Sequence, residues 1–60
     1  MSKRAIDAVF EAMFLLTDLR VMLRETAPLH ELDQEQKESA QALLKDLQVK
    51  VDLLKEDLLA

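Results

Sequence analysis

Apolar residues recur along the chain in two long runs of helical period, separated by a polar interval that holds the only proline. In the first run, at 100° per residue, Ala5, Ala8, Val9, Ala12, Leu15, Leu16, Leu19 and Leu23 share one broad arc. Within it Ala8, Ala12, Leu15, Leu19 and Met22 alternate at spacings of 4 and 3, the pattern of a heptad seam. In the second run Ala40, Leu44, Leu47, Val51, Leu54 and Leu58 follow the same alternation, with Leu43 alongside. These periods predict helices over about 3–27 and 34–59, joined by a bend over 28–33.

The bend has its own chemistry. Proline lacks an amide hydrogen and clashes with the preceding turn, so Pro28 should end the first helix near Thr26 or Ala27. Asp33 reads as the cap of the second helix, with Gln36 three residues on to complete a capping box and Glu35 to favour the helix dipole. Leu29 and Leu32 are expected to plug the end of the core. The chain has no glycine, so nothing else breaks the helices.

The first helix is apolar over too wide an arc for one neighbour to cover. Two hairpins could cover it. The expected architecture is therefore all-α, a helical hairpin forming an antiparallel four-helix bundle as a homodimer, with helices crossing at about 20°. Residues 1–60 form a single domain, and a chain this short buries only about 60% of its unfolded surface, which also favours a second chain.

Away from the seam, Phe10, Phe14 and Val21 form a second strip on the first helix, with Lys3 and Arg24 at its ends and the acids Asp7, Glu11, Asp18 and Glu25 beside it. Either another helix of the assembly buries this strip, or it is a recognition surface, because contiguous exposed apolar patches mark interaction sites. Ala42, Val49 and Leu53 make a smaller patch on the second helix, where Asp33→Lys37 and Asp46→Lys50 are spaced for i, i+4 ion pairs.

Charge and composition narrow the function. Residues 1–27 carry four acids and four bases, whereas 28–60 carry eight acids and four bases, giving a net charge of −4. An acidic balance disfavours general phosphate binding. There is no cysteine and one histidine, so no thiol nucleophile and no Cys/His metal set is expected. The lack of glycine excludes a phosphate-cradling loop. Ser2 and Ser39 have no evident base, and Asp7 and Glu11 sit on a solvated face. No catalytic residues, metal or cofactor are expected, nor a membrane span, because Asp7, Glu11, Asp18 and Arg20 interrupt the first helix. The basic start Met1-Ser2-Lys3-Arg4 is followed by acids rather than an uninterrupted apolar segment, so a cytoplasmic protein is expected.

The residues Lys3, Ala8, Ala12 and Phe14, the seam Leu15, Leu19 and Met22, and the bend Leu29-His30-Glu31-Leu32-Asp33 resemble the Rop family of small plasmid regulators. The resemblance implies a four-helix bundle dimer and an RNA-pairing face on the first helix, to which Lys3 and Phe14 would contribute. The family's asparagine, glutamine and second lysine on that face stand here as Phe10, Asp18 and Glu25, and the two acids disfavour RNA. The function expected from the residues themselves is a small non-enzymatic interaction module, a regulator or adaptor. It would contact a protein through Phe10, Phe14 and Val21, flanked by Lys3 and Arg24. The alternatives are an RNA-pairing regulator and a purely structural bundle.

Overall fold

The computed structural model describes residues 2–60. It is an antiparallel hairpin of two helices, α1 over Lys3–Glu25 and α2 over Gln34–Leu58. Among the described residues there is no strand.

Three of the four helix ends are set by side chains, and the last, at Leu59, is closed by its backbone amide donating to the Lys55 carbonyl. Ser2 caps α1, its Oγ accepting from the Ala5 amide at 3.3 Å. The same hydroxyl donates to Asp57 Oδ2 at 2.7 Å, which ties the start of α1 to the end of α2. At the other end Thr26 is the cap, and its Oγ1 donates to the Leu23 carbonyl at 2.6 Å. Helix α1 therefore stops just before the stretch that Pro28 constrains. The capping box at α2 forms in full. The Gln36 amide donates to Asp33 Oδ1 at 2.8 Å, and the Asp33 amide donates to Gln36 Oε1 at 3.0 Å.

Two expectations for the bend are corrected. Leu29 does not plug the core, being 78% exposed, whereas Leu32 is partly buried. The turn that carries Leu29 outward contains His30 at φ 56°, in the left-handed region. An L-residue with a β-carbon is disfavoured there, and a chain without glycine has to place one anyway. Nor does Asp33 pair with Lys37 among the described ion pairs. The Asp33 carboxylate accepts from the Gln36 amide, the stronger local use of a carboxylate at an N-terminus.

Between the helices runs a single seam. Ala5 and Ala8 are buried on α1, and Ala12, Leu15, Leu19 and Met22 are partly buried below them. From α2 come Ala40, buried, then Leu43, Leu47, Lys50 and Leu54, all partly buried. This is the 4-3 alternation in a phase one residue away from Leu44, Val51 and Leu58, which remain open. Among the described residues the only buried apolar ones are Ala5, Ala8 and Ala40, and no large side chain is fully buried.

The two changes in and beside the bend should move stability in opposite directions. Asp33→Ala should cost about 1 kcal/mol through loss of the cap. His30→Gly should add about 1 kcal/mol by relieving the left-handed residue. Urea unfolding followed by circular dichroism, at one fixed protein concentration, reads both.

Candidate functional site

The seam divides the hairpin surface into two sides. In an antiparallel pair, the residues that follow each seam position lie to one side on both helices, and those that precede it lie to the other. Val9, Leu16 and Leu23 on α1 and Leu44, Val51 and Leu58 on α2 follow seam positions. They form an apolar face whose members are between 39% and 50% exposed. Glu11 and Asp18 on α1 and Asp46 and Leu53 on α2 precede seam positions and mark the second side.

On that second side an ion cluster crosses the seam. Lys50 Nζ lies 2.8 Å from Glu11 Oε2 and 3.7 Å from Asp46 Oδ1. The Lys50 side chain is only 23% exposed, because it occupies a seam position and snorkels outward along the neighbouring apolar side chains. The hydrogen bond with Glu11 raises the Lys50 pKa above 10.5. Desolvation opposes the rise, and the charges of Glu11 and Asp46 add to it. Beside the cluster, Glu11, Phe14, Leu15, Asp46 and Lys50 line a shallow groove of about 280 Å³.

The strip found in the sequence meets this groove at Phe14. Phe14 is 70% exposed, Phe10 56% and Val21 48%. All three therefore present much of their apolar surface to solvent, Phe14 beside Asp46 and Lys50 of α2. Lys3, at one end, is open to solvent and lies 3.6 Å from Asp7, which offsets part of its charge. Arg24, at the other end, stands in the last turn of α1, where a cation suits the helix dipole. Thr17, on the same side, donates to the Met13 carbonyl at 2.9 Å and offers little beyond its own helix.

The seam residues assigned from sequence are thus divided in space. Ala8, Ala12, Leu15, Leu19, Met22, Ala40, Leu47 and Leu54 join the two helices. Leu44, Val51 and Leu58 flank the open apolar face instead. Sequence reading missed the seam position of Lys50, and with it the link to Glu11. The signal was present as a second 4-3 phase, Ala40-Leu43-Leu47-Lys50-Leu54, which a charged residue had hidden. It also missed the double role of Ser2, whose partner lies 55 residues away.

Among the described residues no group of three His, Cys, Asp or Glu is placed to hold a metal ion, and no helix is long and apolar enough to cross a membrane. His30 is exposed in the bend. The arrangement offers surfaces rather than an enclosed cavity. No protein-family model, curated protein or solved structure matches the chain.

The Lys50 cluster fixes a pH dependence. Its folded pKa is raised, so its contribution to stability is complete below pH 10.5 and is lost as pH climbs through the raised value. Thermal melts across that alkaline range should fall for the wild-type chain. Lys50→Met should remove this component of the fall, since a methionine fills the same seam position without titrating.

Proposed function

We propose that the chain is a small non-enzymatic interaction module, a regulator or adaptor. In this reading two hairpins pair through the open apolar face into an antiparallel four-helix bundle. The Phe10–Phe14–Val21 strip, flanked by Lys3 and Arg24, then contacts a protein partner.

The observation that carries this reading is an excess of surface. The chain exposes 4939 Å². A compact monomer of 6.9 kDa is expected to expose about 4,000 Å², so the excess is roughly 900 Å². One partner's share of a standard stable interface is about 800 Å². Shape agrees with area. The hairpin measures 42 × 16 × 13 Å, with a radius of gyration of 13.8 Å. A compact domain of this length should have a radius near 10 Å, and one twice as long about 14 Å. A second hairpin laid along the rod would thicken it and cover the excess.

The choice of face follows from the residues. Val9, Leu16 and Leu23 recur by sevens on α1, as do Leu44, Val51 and Leu58 on α2, so both helices offer a continuous apolar line. The second side is broken by Glu11, Asp18 and Asp46 and cannot become a dry core without burying charge. Pairing through the first face leaves Phe10 and Phe14 outside, free for another protein. An RNA-pairing role of the Rop kind is the weaker reading, because Glu11, Asp18 and Glu25 border the strip and would repel phosphate.

Light scattering over a concentration series should give twice the chain mass, with helicity tracking the fraction paired. Leu16→Glu should lower both mass and helicity, whereas Phe14→Ala should change neither. A folded hairpin of single-chain mass would refute the pairing. Loss of helicity in Phe14→Ala would put the strip in the core and refute its role as a partner surface.

A further inference from the structure

The charges of the chain are sorted by side, and this sorting identifies a partner for the strip. On the side of Phe10, Phe14 and Val21, helix α1 carries Asp7, Glu11, Asp18 and Glu25, and α2 adds Asp46 across the groove. The basic residues there leave the middle of it acidic. Lys50 is held between Glu11 and Asp46. Lys3 lies beside Asp7 and with Arg4 stands at one end, and Arg24 stands at the other. Around Phe14 itself, Glu11 and Asp18 are the nearest charges on the same helix. The opposite side contrasts with this. Between Ile6 and Leu23 it has Arg20 and no acid on α1, and Lys37 and Lys55 border it on α2.

We infer that the acidic, phenylalanine-bearing side receives a basic amphipathic helix of another protein. The apolar residues of that helix lie along Phe10, Phe14 and Val21, and its lysines or arginines lie over Glu11, Asp18 and Asp46. The inference rests on the strip being a partner surface and adds the chemistry of the partner. Three features of the site favour this occupant. The strip repeats at helical spacing over three turns, which matches a helix laid alongside it. The groove beside Phe14 is shallow and open, suited to side chains from a neighbouring helix rather than to an enclosed small molecule. The carboxylates disfavour both RNA and a second copy presenting the same acidic side.

The test uses the full chain and labelled synthetic helices. One has leucine and lysine in a heptad pattern, a second has glutamate in place of lysine, and a third is the lysine helix with its order scrambled. Anisotropy should show binding of the lysine helix alone, weaker at higher salt. Phe14→Ala should weaken it by about tenfold or more, as loss of a central aromatic anchor does. Asp18→Lys should weaken it while leaving every apolar residue in place. The mass of the chain's own assembly should not fall on binding. If the glutamate helix binds and depends on Phe14, the partner surface stands and the basic-helix inference fails. If the lysine helix binds Phe14→Ala as well as wild type, or splits the assembly, the contact is elsewhere and both readings fail. Binding of the scrambled helix with equal strength, or no binding by any helix, also overturns the inference.

Discussion

Two helices share one line of contact, and this sequence has apolar residues for more than one. Everything else in the structure depends on that mismatch. The line between α1 and α2 uses Ala5, Ala8, Ala12, Leu15, Leu19 and Met22 against Ala40, Leu43, Leu47 and Leu54. Burying it still leaves no large side chain fully enclosed among the described residues. Hydrophobic stabilisation scales with the apolar area removed from water, at about 25 cal/mol per Å². Among the described residues the buried apolar ones are three alanines, so the hairpin by itself is short of driving force. Further apolar surface stands along Val9, Leu16 and Leu23 and along Leu44, Val51 and Leu58, and the proposed second hairpin would cover it.

The contact that does form is tuned along its length. Ala5 and Ala8 at one end and Ala40 towards the other let the backbones approach closely, and the leucines fill the wider middle. Lys50 interrupts that middle with a charge, satisfied by Glu11 across the seam and Asp46 on its own helix. A polar residue at a seam position costs packing but distinguishes one register from its neighbours, since sliding by a turn would separate Lys50 from Glu11. Ser2 and Asp57 impose the same register at the open end. Thus polar contacts at two levels select the alignment that the alanines and leucines then stabilise.

The sequence made the helices and their ends legible because local chemistry decides them. Pro28, Asp33 and Gln36 act through the backbone within a few residues, and heptad spacing marks a helical surface whatever lies opposite. It made the α2 seam only half legible. Leu43 and Leu44 both continue an alternation of 4 and 3, and periodicity cannot say which phase meets α1 and which faces outward. The answer depends on the rotation of α2, set by the partners of Lys50 and by the close approach at Ala40, and these are properties of the pair. Leu29 was misplaced for a related reason. Hydrophobicity argues for burial, but the direction of the turn at His30 takes precedence. The strip at Phe10, Phe14 and Val21 was visible as a pattern, and its position beside the Glu11–Lys50–Asp46 groove required the fold.

Placing the two surfaces on opposite sides of the seam separates their energetics. In the proposed dimer, the apolar faces meet in the middle and the two acidic sides point away from each other, roughly 20 Å apart across the bundle. Pairing then shields no carboxylate and covers no phenylalanine, so a partner helix could dock without competing with assembly. The two-fold axis also makes the strips a matched pair. A partner with two basic helices on a linker long enough to reach round the bundle would bind with avidity, whereas a shorter linker would forfeit it. The same sorting of charge limits errors of assembly, since two hairpins meeting acidic side to acidic side would bring Glu11, Asp18 and Asp46 of each copy together, three acids against the single Lys50 held among them. The carboxylates that keep this side out of the core are the groups that could select a basic partner, so one feature of the sequence would serve both pairing specificity and recognition.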